Sequence, residues 1–141
     1  MRTVCGCLLG ATLLAGAANH ASAQSLALIC HGAQRPGNVA ELMFGRDIGH
    51  HLGVSEIAWA RFVAREITPR FPDGLTITDA YGQWRERPNG RIVREPSKLV
   101  VIVLPGHDDD QARLDAIVNA YKREFRQQSV GVIVQSACVS F

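Results

Sequence analysis

The sequence predicts an α+β domain, a ferredoxin-like βαββαβ sandwich with an antiparallel four-stranded sheet and two helices on one face. The predicted elements follow the order strand, helix, strand, strand, helix, strand, which is the split βαβ arrangement. Right-handed crossovers would place the first and last strands side by side and antiparallel. Cys30 precedes the first strand and Cys138 closes the last, so both cysteines should meet at one edge of the sheet.

The first half of the domain contains one strand and one helix. The segment AELMFGR at 40–46 is apolar enough for a strand, and DIGHHLG after it is typical of a loop. Ser55 can cap a helix, and Pro69 should end it because the residue before a proline leaves the helical region. The apolar positions that recur at helical spacing are Ile57, Ala60, Val63, Ala64 and Ile67.

The second half begins with a hairpin. FPDG at 71–74 favours a turn, LTIT alternates as a half-buried strand does, and Asn89-Gly90 favours a two-residue reversal. KLVVIVLP then forms the return strand, HDDD at 107–110 opens the second helix, and VGVIVQSACV is the last strand. One face of the second helix carries Leu114, Ile117, Val118, Tyr121 and Phe125.

Residues 1–23 have the pattern of a secretory signal peptide. The apolar run VCGCLLGATLLAGAA follows Arg2, and the small residues ASA precede Gln24. We therefore expect cleavage after Ala23, an exported protein that is periplasmic or secreted, and no membrane span in what remains. A retained N-terminal anchor is the alternative. Residues 24–38 mix Gly, Pro and polar residues and are predicted to be an irregular entry segment, and 39–141 the folded domain.

Cleavage would leave only Cys30 and Cys138, which favours one disulfide in an exported chain. Two separate buried thiols, or a bond to another chain, are the alternatives. Lys and Arg number 15 against 13 Asp and Glu, a balance that predicts neither nucleic acid nor an anionic membrane surface as a partner.

The hairpin carries the most distinctive polar side chains. A two-residue turn at Asn89-Gly90 would place Trp84 opposite Glu95 and Arg85 opposite Arg94. Opposed arginines are unfavourable unless an anion lies between them, which suggests a small anionic ligand, although nearby carboxylates could neutralise them. A solvated hairpin with paired charges is the plain alternative. One face would carry Asp79, Tyr81, Gln83, Arg85, Arg94 and Lys98, and the other Trp84, Glu95 and Ser97.

Four segments, LMFGRD, VSEIAWARFV, TPRFPDGLTITDAYGQWR and REPSKLVVIVLP, resemble a bacterial family known as domain of unknown function 3574. The resemblance covers residues 40 to about 135. It implies no activity, but it implies that several polar residues belong to the family's pattern. These pattern residues are Phe44, Gly45, Arg46, Trp59, 70–76, Asp79, Gly82, Gln83, Trp84, Glu95 and Lys98.

These observations define the candidate site residues. The ligand-binding candidates are Arg46, Arg70, Asp79, Gln83, Trp84, Arg94 and Glu95. No cofactor motif is present, and we predict no metal site, because the neighbouring histidines at 50–51 cannot easily share an ion. The acids of HDDD are the residues that a helix start favours.

The return strand indicates a partner. LVVIVL at 99–104 is apolar on both faces, as are strands that are covered on both sides. A second copy, a ligand or segment 24–38 should therefore cover the helix-free face, and we expect a homodimer through it. We interpret the protein as a non-catalytic binding module that uses this face and the 70–98 hairpin. The alternatives are a small enzyme, with Asp79 or Glu95 as acid–base and Arg70 or Arg94 as anion clamp, and a structural envelope protein.

Overall fold

A computed structural model describes residues 28–49, 51–86 and 90–141. Four strands form one antiparallel sheet in the order β4-β5-β1-β6, and two helices pack on one of its faces. The predicted α+β sandwich is therefore confirmed. The predicted signal peptide, the first residues of the entry segment, His50 and Asn89 lie outside the described residues. The elements are β1 Arg35–Gly45, β2 Asp47–Ile48, β3 His51–Leu52, α1 Glu56–Phe62, β4 Thr76–Arg85, β5 Ile92–Leu104, α2 Asp110–Phe125 and β6 Gly131–Val139.

Strand β1 lies at the centre of the sheet, between β5 and β6. It begins at Arg35, five residues before the predicted start at 40, so part of the predicted irregular segment is strand. The reason is pairing: Arg35 lies opposite Val139, and the ladder to β6 continues without a break to Met43. The Cys30–Cys138 disulfide joins the chain before β1 to the end of β6, as the predicted topology required.

The core lies between the sheet and the helices and is built around aromatic rings. Phe44 of β1 packs against Trp59 of α1 and Tyr121 of α2, with ring centroids 5.2 and 4.8 Å apart. Phe62 lies 5.0 Å from Tyr121, and all four rings are buried. Aromatic side chains bury the most area per residue, so this cluster decides which face of each helix points inward.

The first helix differs from its predicted pattern. Ser55 caps it as expected, because its Oγ accepts the Ala58 N–H at 3.2 Å. The α-helix ends at Phe62, however, and a π-helical turn continues it over Val63–Ile67. The predicted apolar positions Ile57, Ala60 and Ala64 are exposed, because the larger rings of Trp59 and Phe62 take the buried face and the π turn shifts the spacing by one residue.

The predicted face of α2 is confirmed, with Leu114, Ile117, Tyr121 and Phe125 buried and Val118 half-buried. The acids before the helix do not cap it in the expected way. Asp110 Oδ2 accepts the backbone N–H groups of Gly106 and His107 at 2.8 and 3.0 Å, so this side chain stabilises the preceding turn.

The predicted hairpin register is wrong by two residues. Asp79 lies opposite Lys98, Gln83 opposite Arg94 and Trp84 opposite Val93. The cause is the connection: the Glu86 N–H donates to the Arg91 carbonyl at 2.8 Å, so the strands are joined by four residues, 87–90. A shift of two residues keeps each side chain on its face, and the predicted division of the hairpin residues between two faces holds.

Strand β5 divides its apolar residues between the two faces. Val100 and Ile102 are buried under the helices, while Leu99, Val101 and Val103 are half-buried on the side that we call the open face. In the described part of the chain, neither helix is both long and apolar enough to cross a membrane.

Candidate functional site

A cleft of about 620 Å³ lies on the open face. Its floor is formed by β1, β4 and β5, with Met43, Ala80, Val93 and Leu99 as apolar lining. Loops after β1 and after α2 form the rim, where the Gln127 side chain donates to the Asp47 carbonyl at 2.7 Å. A concave, largely apolar space of this size is typical of sites for small molecules.

Glu95 is the main polar group on the cleft floor. The residue is only 9% exposed, yet it lines the cleft. One carboxyl oxygen accepts the Trp84 indole N–H at 3.0 Å, and the other accepts the Asp47 backbone N–H at 3.0 Å. A carboxylate offers about four lone-pair positions, so these two bonds orient Glu95 and leave it able to accept more.

Gly45 makes room for this carboxyl group. A Cβ atom at this position would lie 2.6 Å from Glu95 Oε1 and 2.7 Å from Oε2, well inside van der Waals contact. The Gly45 carbonyl accepts the Tyr121 hydroxyl at 2.8 Å from the core side. The last residue of β1 therefore holds the cleft floor and the aromatic core in fixed relation.

The charges around the cleft are mostly negative. Among the described residues, four acidic ones line it, Glu41, Asp47, Glu86 and Glu95, against one arginine, Arg126. Glu86 forms an ion pair with Arg91 at 3.4 Å, which compensates part of the excess. The remaining field favours a positive or hydrogen-bond-donating ligand over an anion.

A second polar cluster, which we call the ion-pair network, lies on the helix-bearing face of the sheet. The Lys98 ammonium binds Asp79 and, at 2.8 Å, Glu56. Arg46 binds Glu56 at 2.6 Å and donates twice to the Val54 carbonyl. Both cations are buried, whereas the carboxylates of Glu56 and Asp79 are 65% and 80% exposed. The network thus neutralises two buried cations and closes the loop before α1.

Hydrogen bonds shift the pKa values in this network. The bond from Lys98 lowers the pKa of Asp79 below its ordinary 3.8 and that of Glu56 below 4.5. Burial opposes the charge of Lys98, but its bonds to Asp79 and Glu56 outweigh burial and raise its pKa. All three groups are therefore charged at neutral pH.

We expect the network to make folding sensitive to acid. Because the folded-state pKa of Asp79 is depressed below its ordinary 3.8, its stabilising contribution is present above that ordinary value and is lost as pH falls through the folded-state pKa. Urea midpoints measured as the pH is lowered should fall, and Asp79→Asn should remove part of that dependence. Asp73→Asn, at an exposed turn, is the matched control; an equal effect from it would contradict the assignment.

The structure divides the candidate residues among several places. Gln83, Trp84 and Glu95 line the cleft, while Arg46 and Asp79 belong to the ion-pair network. Arg70 binds the Glu66 side chain at 3.0 Å and the Glu66 carbonyl at 2.6 Å at the end of the π turn. Arg94 is exposed and lies opposite Gln83.

The sequence did not identify some of the residues that line the cleft. Gly45, Asp47 and the loop after α2 all contribute to the cleft, but none was named as a ligand-binding candidate. The signal that could have found two of them is the Gly-Arg-Asp tripeptide that follows an apolar strand at 45–47. Nothing local distinguishes the 126–129 loop, because its role depends on where α2 ends.

The start of α2 places His107, Asp109 and Asp110 close enough for their ligand atoms to lie within 4.8 Å of one another. Asp109 Oδ2 accepts from Arg113 at 2.9 Å, and Asp110 Oδ2 accepts from two backbone N–H groups. These bonds are those of a helix start, and we assign no metal to the cluster.

Comparison with solved structures places the fold among known proteins. The chain of a phage SAM lyase in complex with S-methyl-5'-thioadenosine is 20% identical with a TM-score of 0.59, over 83% of this chain and 97% of that one. A phage SAM lyase in the apo state is 17% identical, with a TM-score of 0.56, over 81% of this chain and 95% of that one. CutA from Synechococcus elongatus PCC7942 is 12% identical, with a TM-score of 0.47, over 76% of this chain and 80% of that one. These likenesses concern the fold.

Sequence comparison identifies the family. No curated protein matches the chain. The family model described as protein of unknown function, DUF3574, matches residues 39–141, which agrees with the resemblance carried by the strand and hairpin segments. The match spans the whole described sheet except the start of β1 and includes both helices, so the chain belongs to the DUF3574 family.

Proposed function

We propose that this protein is a non-catalytic binding module that holds a small molecule in the cleft of the open face. One observation carries the proposal: the Glu95 carboxyl is almost fully buried, yet it lines the cleft and is oriented by Trp84 and Asp47. Small-molecule sites are typically apolar concavities into which a few polar groups converge.

The anionic ligand suggested by the sequence loses its basis. That hypothesis required Arg85 to face Arg94, whereas Arg85 lies opposite Ile92 and Arg94 opposite Gln83. Because the two arginines are not directly opposite each other, they no longer give a reason for an anion between them.

The enzyme alternative has weaker support. An acid–base pair with an anion clamp would need an arginine beside the reacting carboxyl group. Glu95 instead has an indole N–H and a backbone N–H as neighbours, and Asp79 is bound to Lys98 on the other face of the sheet. Both carboxyl groups are held as acceptors, which suits binding and positioning better than proton transfer.

A second copy of the chain is the other candidate occupant of the open face. Met43 and Ile133 are 39% and 46% exposed, and Val101 is half-buried beside them. A homodimer through this face would cover all three. Light scattering at micromolar concentration separates the two proposals, because a dimer has twice the mass and its formation would fill the cleft.

Export remains part of the proposal. It is supported by the signal-like pattern of residues 1–23 and by the Cys30–Cys138 disulfide, since disulfides persist in oxidising compartments.

The chain contains two tryptophans that make a direct test possible. Trp84 lines the cleft and is 39% exposed, while Trp59 lies in the core and is 4% exposed. In ¹⁵N-labelled protein, a ligand that enters the cleft should shift the Trp84 indole N–H resonance and leave that of Trp59 unchanged. A fragment library and S-methyl-5'-thioadenosine, the ligand of the structurally similar phage lyase, are the probes.

Trp84→Phe assigns the two indole resonances, because only that of Trp59 remains. The variant also removes the hydrogen bond to Glu95, so it should weaken the binding of the fragments. Ile57→Ala, which removes an exposed side chain of α1 on the other side of the sheet, should leave them unchanged. Failure of every probe to shift the Trp84 resonance, in a protein that is monomeric by light scattering, would contradict the binding proposal.

A further inference from the structure

We infer that the ligand of the cleft is an aromatic amine or a similar organic cation, with its charged nitrogen at Glu95 and its ring beside Trp84. This inference rests on the proposed function and specifies its ligand class. The ligand inferred here is a cation, whereas the hairpin sequence suggested an anionic ligand.

The first argument is the supply of acceptors. Both oxygens of Glu95 already accept one hydrogen bond each, from groups that lie at the cleft floor and rim. The remaining lone pairs of Glu95 can only accept hydrogen bonds from further donors, because an ionised carboxylate has no proton to donate. A ligand ammonium would donate hydrogen bonds to these free lone pairs. A ligand carboxylate or phosphate would instead place its own acceptor oxygens against those of Glu95, in a poorly solvated place where neither could find a donor.

The second argument is the surrounding charge. Glu41 and Asp47 are further acidic residues of the cleft lining, and Arg126 is its one arginine in the part of the chain that the structure describes. Helix α2 ends at the cleft as well, since Gln127, Gln128 and Ser129 follow its last turn and line the rim. The carbonyl end of a helix carries partial negative charge and stabilises cations nearby.

The third argument is the aromatic lining. Trp84 is 39% exposed and lines the cleft beside Val93 and Leu99. An indole ring attracts a cation over its face and stacks on flat ligands. Trp84 is itself held in place by its bond to Glu95, so the anion and the ring form one prearranged unit.

Three probes of nearly equal size test the charge preference: 2-phenylethylamine, 2-phenylethanol and phenylacetate. They present the same ring with a positive, neutral or negative end. Titration followed through the Trp84 indole N–H resonance should give the order amine, alcohol, acid. At low salt we expect the amine to bind about tenfold more tightly than the acid, and added salt should reduce this ratio.

Glu95→Gln should reduce the preference for the amine, while Asp115→Asn, which removes a carboxylate of α2 that does not line the cleft, should leave it unchanged. Equal or tighter binding of phenylacetate to the unmodified protein would overturn the inference and leave the binding proposal intact. So would fragment hits that shift the Trp84 resonance without any response to the amine. Absence of every shift would count against the binding proposal itself.

Discussion

Phe44→Ala should lower the free energy of unfolding by about 3–5 kcal/mol, the range for removing a buried phenylalanine ring. Phe44 is fully buried in β1, and its ring contacts those of Trp59, Phe62 and Tyr121. Those three rings come from two different helices, α1 and α2, so no single element can move to fill the cavity. The cost should therefore lie toward the upper part of this range.

Urea unfolding followed by far-UV circular dichroism measures this loss. Ile57→Ala is the control, since Ile57 is 67% exposed and its removal should change the free energy of unfolding by less than about 1 kcal/mol. A loss below about 1 kcal/mol for Phe44→Ala would contradict the central place of this ring in the core. Because Gly45 follows Phe44, the same variant should also broaden the Trp84 indole resonance.

Loss of the Cys30–Cys138 disulfide should cost about 4 kcal/mol. The bond closes a loop of 108 residues in sequence separation, and in the chain-entropy model a long loop restricts the unfolded chain strongly. In the folded state it joins the chain before β1 to the end of β6, where Arg35 pairs with Val139. We expect this end of the sheet to open first in the variant.

The comparison is between proteins with and without Cys30→Ser and Cys138→Ser, both carrying Cys5→Ser and Cys7→Ser so that no other pair can form. Urea unfolding gives the difference in stability, and hydrogen exchange of the Arg35, Gly37 and Asn38 amides reports opening of the sheet end. Under a strong reductant the two proteins should become equally stable. A difference below about 1 kcal/mol without reductant would show that the bond contributes little.

Strand β5 explains how so small a domain has both a core and a cleft. Its alternate residues Lys98, Val100 and Ile102 face the helices, while Glu95, Ser97 and Leu99 face the cleft. In both sets the polar residues lie toward the hairpin and the apolar residues toward the other end of the strand. The two polar clusters, one around Lys98 and one around Glu95, therefore lie back to back on opposite faces of the sheet.

The sequence by itself determined the order of the elements, the pairing of Cys30 with Cys138, the buried face of α2 and the division of β5 between two faces. These features follow from short-range periodicity and from the handedness of crossovers. They need no knowledge of how distant parts of the chain pack. The family match could be recognised for the same reason, since its motifs are continuous segments.

Only the tertiary structure decided the hairpin register, the inward face of α1 and the location of the cleft. The register depends on a four-residue connection that Asn89-Gly90 alone does not reveal, and the face of α1 depends on a π turn that packing stabilises. The cleft requires Gly45 to lie against Glu95 and Gln127 to bond Asp47. Such contacts join residues 50 and 80 positions apart, so they are set by the packing of the whole sheet and leave no periodic signal in the sequence.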